Sequence, residues 1–149
     1  MIRVGASRID RQGLFATQDI KHSTRIIQYR GEKITKAEGS KRAEAGNAYI
    51  FELNEYYDID GKALSNIARY INHSCDPNCE IHTTLHTIWV IALRRIQAGE
   101  ELTYNYDYDI KNYTEYPCRC GAQNCCGYIL DRQYWDLLQL QQQESKTSD

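Results

Sequence analysis

Three cysteines in one short run, Cys118-x-Cys120-x4-Cys125, constrain this 149-residue chain more than any other feature. Thiolates packed that closely suit a tetrahedral Zn²⁺, which structural sites bind through four protein ligands. The run supplies three of them, so the fourth comes from elsewhere, and Cys75 and Cys79 are the candidates. A metal held in this way ties the C-terminal segment to the middle of the chain. Cys126 is the sixth cysteine and an unexpected neighbour of the cluster. Six cysteines also permit three disulfides, and free or buried thiols are a third reading. Zinc is favoured over both, because the start MIRVGASRIDRQGLFA lacks the roughly 7–15-residue apolar core of a secretory signal.

Composition narrows the class. Charged residues are 26% and the apolar set 42%, which is a globular balance. A formal charge of -2 argues against a nucleic-acid binder, which needs a positive field. No stretch approaches the about 18 apolar residues of a membrane span, and SKTSD at the C-terminus is neither a lipidation box nor an address. The expected location is therefore intracellular. Tyrosine is in excess, 12 against 2 Phe, and so many hydroxyl-tipped rings call for an explanation.

Along the chain, short strands dominate. Residues 1–30 read as strands, with Gly13 marking a turn before Leu14-Phe15-Ala16. Residues 35–44 suit a short exposed helix, 48–53 and 56–60 strands, and 65–71 a turn or two of helix. Residues 72–79 are too polar for a strand and read as an ordered loop. Residues 88–93 form the most apolar strand and 102–108 another. Residues 131–142 read as a helix with Tyr134, Leu137, Leu138 and Trp135 on its apolar side. There is no βα rhythm, no G-x-G-x-x-G and no phosphate loop, which disfavours a doubly wound nucleotide fold.

Two segments carry more polarity than packing needs: Arg69-Tyr70-Ile71-Asn72-His73-Ser74-Cys75 and Glu100-Glu101-Leu102-Thr103-Tyr104-Asn105-Tyr106. Such a density of hydrogen-bonding groups fits a polar ligand, or else a buried turn that satisfies itself. These segments, with Gly13-Leu14-Phe15-Ala16, Tyr29-Arg30-Gly31-Glu32, Tyr49-Ile50-Phe51, Asp76-Pro77-Asn78-Cys79 and the C-x-C-x4-C run, appear in the order of the SET-domain protein lysine methyltransferases. The chain resembles most the trithorax-like branch with a post-SET zinc segment, over about residues 1–130.

The resemblance implies a mainly β fold of several small sheets with a knot-like, threaded core, few short helices, a zinc-binding post-SET segment and a terminal helix. The implied division is 1–112 for the SET unit, 113–130 for the post-SET segment and 131–149 for the C-terminal helix and tail. The implied activity is methyl transfer from S-adenosylmethionine to lysine in a basic protein or peptide such as a histone tail. No direct nucleic-acid contact and no membrane are expected, and the nucleus is the location in a eukaryote, otherwise the cytoplasm or a secreted effector. Tyr106 matches the catalytic tyrosine, and Tyr49 and Tyr104 the aromatic positions of the lysine channel. Asn72 and His73 match the cofactor-contacting pair, with Arg69 in the same motif, and Tyr106 also borders the cofactor. Gln12, Gly13, Leu14 and Phe15 are expected to contact the cofactor through their backbone, with Arg11 where the family has its first turn glycine. Tyr128 falls where the post-SET segment packs on adenine, and Cys75, Cys118, Cys120 and Cys125 match the zinc ligands. Asn105 replaces the usual Asp.

Tyr104 implies mono- or dimethylation, since its hydroxyl can retain a water where extra methyl groups would go. Three alternatives stand beside this reading: a non-histone basic substrate, a catalytically silent module whose aromatic cage holds methyl-lysine, and a zinc-anchored interaction domain.

Overall fold

The structure, a computed structural model, describes residues 1–147. Ten short strands form three small sheets. The first sheet contains β1 (Ile2–Ala6), β2 (Gln12–Ala16), β10 (Glu101–Tyr104) and β7 (Asn72–His73), in the order β1-β2-β10-β7. β1, β2 and β10 run antiparallel, whereas β10 and β7 are parallel. The second sheet has the order β3-β9-β8, from β3 (Arg25–Tyr29), β9 (Ile88–Ala92) and β8 (Cys79–Thr83). The third has the order β4-β6-β5, from β4 (Glu32–Thr35), β6 (Tyr57–Asp60) and β5 (Ile50–Glu52). The helices are α1 (Lys36–Glu44) and α2 (Trp135–Thr147), with single 3₁₀ turns at Ile67–Tyr70, Tyr113–Glu115 and Arg132–Tyr134. Among the described residues, no helix is long and apolar enough to cross a membrane.

Inward-facing strand residues, with Ile20, Ile71 and Ile96 from the connections, make the core. Leu14, Ile20, Ile71, Ile88, Val90, Ile96 and Leu102 are almost completely buried, each worth about 1.5–3 kcal/mol of transfer free energy. The expected elements are present, with four differences. Residues 72–79 are not wholly loop: Asn72 and His73 form β7, buried and paired with Thr103 and Tyr104. Polar residues can occupy that strand because the Asn72 side chain finds its partners inside the protein. The strand expected over 102–108 ends at Tyr104, where Asn105 accepts the Asp107 amide and Asp107 takes a φ of 52°. Gly13 lies inside β2, opposite Gly5, and the turn is upstream at Ser7–Arg11, where Arg11 has a φ of 37°. In α2, Leu138 is buried but Leu137 is 45% exposed.

The C-terminal segment folds back on the body. The Asp131 amide donates to the Tyr108 carbonyl, Ile129 to Tyr116 and Cys118 to Gly127, at 2.8–3.0 Å. Arg132 reaches the Cys75 carbonyl at 3.0 Å.

Close backbone approach fixes two glycines near the coming site. A Cβ on Gly61 would fall 2.3 Å from the Tyr29 ring, and one on Gly31 only 2.1 Å from the Asp60 carbonyl oxygen. Backbone cannot yield as a side-chain tip can. Gly31→Ala is expected to lower stability by about 1–3 kcal/mol, the usual cost of overpacking; urea unfolding of the two proteins measures it.

Candidate active site

The parallel pairing of β7 with β10 brings the two polar segments together. Thr103 faces Asn72 and Tyr104 faces His73. Ser74 extends the pairing by donating its amide to the Tyr104 carbonyl at 3.2 Å. Just beyond β10, the Tyr106 amide donates to His73 Nδ1 at 3.2 Å, and the Tyr106 hydroxyl donates to the Ile71 carbonyl at 2.9 Å. The Tyr106 ring lies edge-on to His73 and 4.8 Å from Tyr104. His73 is buried, which pushes its pKa down to about 4 and keeps the ring neutral. With Nδ1 accepting, the proton sits on Nε2, 3.6 Å from Cys75 Sγ.

Two cavities meet here. One, of about 500 Å³, is lined by the Asp10–Gln12 turn, by Tyr29, Tyr49 and Phe51, by the stretch from Ala68 to Asn72, and by Tyr104, Tyr106 and Tyr108. The other, of about 310 Å³, has Asn72, His73 and Tyr106 on one side and Glu115–Arg119 with Ile129 on the other. Tyr106, Asn72 and Asp10 belong to both walls.

The larger cavity is a stack of aromatic rings. Tyr29 lies 5.1 Å from Phe51, Phe51 lies 5.9 Å from Tyr104, and Tyr106 lies 5.7 Å from Tyr108. Burial holds the Tyr29, Tyr104, Tyr106 and Tyr108 phenols above their ordinary range, so all four are neutral hydroxyls. At the rim, the Arg69 guanidinium stacks 3.8 Å over the Tyr49 ring and donates to the Lys62 carbonyl. Its Nε is buried without a hydrogen-bond partner among the described residues. A cationic side chain at a cavity wall is suited to an anionic ligand group.

Behind His73 lies the thiol cluster. The sulfurs of Cys75, Cys118, Cys120 and Cys125 all fall within 4.8 Å of one another. Cys75 Sγ is 3.9 Å from Cys118 Sγ and 3.7 Å from Cys125 Sγ. A tetrahedral site with about 2.3 Å metal–sulfur bonds has sulfur–sulfur edges of about 3.8 Å, so the set fits one metal ion. Burial raises the Cys75 and Cys118 thiols, the latter to about 12. At Cys120, burial acts upward but is outweighed by backbone hydrogen bonds from Cys75 and Ala122, leaving it at about 7. A cation would relieve the packing of four thiolates in so small a space. Cys79 is a core residue, and burial pushes its thiol up to about 12. The Cys126 thiol donates to the Tyr128 carbonyl at 3.2 Å and touches Cys75 at 3.9 Å, beside the four.

The expected residues divide accordingly. Tyr49, Arg69, Asn72, Tyr104, Tyr106 and Gln12 line the larger cavity, and Asn72, His73 and Tyr106 the smaller. Gly13, Leu14 and Phe15 line neither. Strand alternation carries Leu14 into the core and lays Phe15 against Arg3, so the wall is made one step earlier, by Asp10–Gln12. Tyr128 also lines neither; its ring packs edge-on to Tyr113, and Tyr116, Pro117 and Ile129 form the wall on that side. Sequence reading missed Tyr29, Tyr70 and Tyr108 as wall residues. The tyrosine excess was the available signal for them.

A SET-domain family profile matches residues 11–107. The histone-lysine N-methyltransferase trr of Drosophila melanogaster is 39% identical over 135 residues, covering 83% of this chain and 6% of that protein. The human histone-lysine N-methyltransferase 2D is 37% identical over 134 residues, 83% of this chain and 2% of that protein. The H3 lysine-4 specific histone-lysine N-methyltransferase of Saccharomyces cerevisiae is 38% identical over 135 residues, 83% of this chain and 12% of that protein. The chain thus spans only a small part of each of these relatives.

The thiol geometry makes a direct prediction. Purified protein is expected to carry one tightly bound metal ion per chain, measured by elemental analysis. Cys75→Ser should remove most of it, and Cys79→Ser should leave it in place.

Proposed function

This chain belongs to the SET-domain family, and on that footing we propose that it is an S-adenosylmethionine-dependent protein-lysine N-methyltransferase acting on histone tails. The observation that carries the reading is Tyr106, which stands in the common wall of two cavities with its hydroxyl tied to the Ile71 carbonyl. A reaction between a cofactor and a side chain arriving from different sides needs such a shared wall.

The residues present fit the cofactor. Asn72 and His73 with the Cys118–Arg119 wall of the smaller cavity would take its adenosine end, and Arg69, in the larger cavity beyond the shared Asn72–Tyr106 wall, would meet its carboxylate. S-adenosylmethionine supplies a methyl carbon made electrophilic by the adjacent sulfonium. The protein's part is to deliver a neutral amine in line with that carbon. Free lysine has a pKa of about 10.4, so about 0.1% is neutral near pH 7.4, a deficit of about 4 kcal/mol. A channel of Tyr29, Tyr49, Phe51 and Tyr104 strips water from the ammonium and faces it with aromatic rings, while the Tyr29 and Tyr104 hydroxyls stay neutral, which favours the uncharged amine. Tyr106 commits its proton to Ile71 and keeps its oxygen as an acceptor, so it orients and does not attack. Alignment is then the main catalytic device.

Zn²⁺ is the metal we assign to Cys75, Cys118, Cys120 and Cys125, because four thiolates in a tetrahedron are its preferred structural set. It would hold residues 113–130, as a post-SET segment, against a SET unit of residues 1–112, with 131–149 following. Histone H3 lysine 4 is the first acceptor to assay, since the yeast relative's name specifies it. A histone substrate places the protein in the nucleus.

Titration with S-adenosylmethionine, followed by labelled-methyl transfer to histones and mixed basic proteins, tests the reading. Tyr106→Phe is expected to keep cofactor binding and lose about 10²-fold in transfer, the scale of a misaligned reacting pair. Absence of cofactor binding by the metal-loaded protein would refute the enzyme; binding without transfer to any lysine would favour the silent methyl-lysine module.

The Tyr104 hydroxyl has no hydrogen-bond partner among the described residues, which leaves it available to hold a water. Mono- and dimethyl-lysine are therefore the expected products, and Tyr104→Phe is expected to shift the balance toward trimethyl-lysine in a mass-spectrometric time course.

A further inference from the structure

We propose that Glu101 is a positioning residue for the cofactor wall, acting through Ser7 and Asn72; this rests on the methyltransferase reading above. Glu101 lines neither cavity. It opens β10, opposite Phe15 and two residues before Thr103, which faces Asn72. Strand alternation therefore puts Glu101, Gly13 and Asn72 on one face of the sheet.

On that face the half-buried Glu101 carboxylate gathers donors. The Ser7 hydroxyl donates to its two oxygens at 2.8 and 2.9 Å, and Asn72 Nδ2 donates to Oε1 at 2.8 Å. Ser7 Oγ in turn accepts the Ile9 amide at 2.9 Å and lies 3.1 Å from Asn72 Nδ2. Asn72 Nδ2 also reaches the Gln12 carbonyl at 3.0 Å and the Asp10 carbonyl at 3.3 Å. One carboxylate thus closes the Ser7–Gln12 turn against β7. That turn supplies Asp10, Arg11 and Gln12 to the larger cavity and Ile9 and Asp10 to the smaller.

The chemistry requires an acceptor-only group. Ser7 has its single proton directed at Glu101 and its lone pairs occupied, and Asn72 presents its amide nitrogen. A glutamine would keep an acceptor at only one of the two positions and turn an NH₂ at the other toward Ser7 Oγ, whose lone pairs are already occupied. Gly13 belongs to the same device: a Cβ there would fall 2.3 Å from Glu101 Oε1. Its lack of a side chain serves carboxylate clearance inside a strand, not turn flexibility.

The test measures S-adenosylmethionine affinity by calorimetry, KM against kcat in methyl transfer, and the thermal midpoint, for wild type, Glu101→Gln, Gly13→Ala, Ser7→Ala and Ser7→Thr. Glu101→Gln and Gly13→Ala are expected to raise Kd and KM for the cofactor about tenfold or more, with kcat at saturating cofactor changing less than about threefold. Ser7→Ala should follow them, while Ser7→Thr, which keeps the hydroxyl, retains affinity. A merely structural Glu101 would lower the midpoint and leave the Kd of the folded fraction unchanged, which would overturn the proposal. If Glu101→Gln does not fold, the Ser7 pair decides: equal affinity in both overturns it. Failure of the wild type itself to bind the cofactor would instead bring down the methyltransferase reading, and this inference with it.

Discussion

The site depends on the position of β10 between β2 and β7. Its first two residues pair antiparallel with Phe15 and Leu14 of β2, and its last two pair parallel with Asn72 and His73 of β7. Where β7 has not yet begun, the Asn78 side chain stands in for a strand: its Nδ2 donates to the Glu101 carbonyl at 2.8 Å, and its Oδ1 accepts the Thr103 amide at 2.9 Å. A buried backbone group without a partner costs about 1–3 kcal/mol, so this single buried asparagine lets a four-residue strand change neighbours without leaving polar groups stranded. The change of neighbour brings residues 31 apart in sequence into one wall. Tyr104 and Tyr106 then stand beside Asn72 and His73 because the backbone ladder allows nothing else.

The same strand links the site to the thiol cluster. His73 accepts the Tyr106 amide through one ring nitrogen and faces Cys75 Sγ with the other. Cys75 also gives its carbonyl to Arg132, beyond the cysteine run. Cys75, one of the four clustered thiols, therefore abuts the wall through His73, and the C-terminal segment meets the body where the second cavity opens. A metal held there would contribute its folding energy to the loop it organises. Here that loop supplies Cys118 and Arg119 to the cavity lining.

Much of this was legible in the sequence, for identifiable reasons. The cysteine spacing picked out three of the four clustered thiols, and the polar stretches around Asn72 and Tyr104 lie where the two cavities meet. The choice of Cys75 over Cys79 was not available from spacing; strand register turns Cys79 into the core, where it pairs with Ala92. Gly13 was misread for a related reason. A glycine beside a polar turn signals backbone freedom, yet its role here is set by a carboxylate 88 positions later in the chain. Ser7 and Glu101 carry no local signal, since each is ordinary in its own segment and meaningful only as a pair. Tyr128 had the right position in sequence but turns its ring to Tyr113, a choice made by packing within the C-terminal segment.

The tyrosine excess finds its explanation in the same geometry. The proposed lysine channel has to favour a neutral amine, which calls for rings of low polarity, and phenylalanine would supply them. Phenylalanine cannot, however, be anchored at its far edge. The Tyr29 hydroxyl donates to the Tyr49 carbonyl at 2.9 Å, and the Tyr106 hydroxyl donates to the Ile71 carbonyl at 2.9 Å. Each ring is thus held at both ends, and each bond also satisfies a carbonyl beside the cavity. Gly61 makes room for the first of these rings, with no Cβ to meet Tyr29. Desolvation then keeps the phenols protonated, so the hydroxyls that fix the walls add no charge to them. Rigidity and neutrality, which a methyl-transfer channel needs together, come from one residue type because its polar end points at backbone and its apolar face at the cavity.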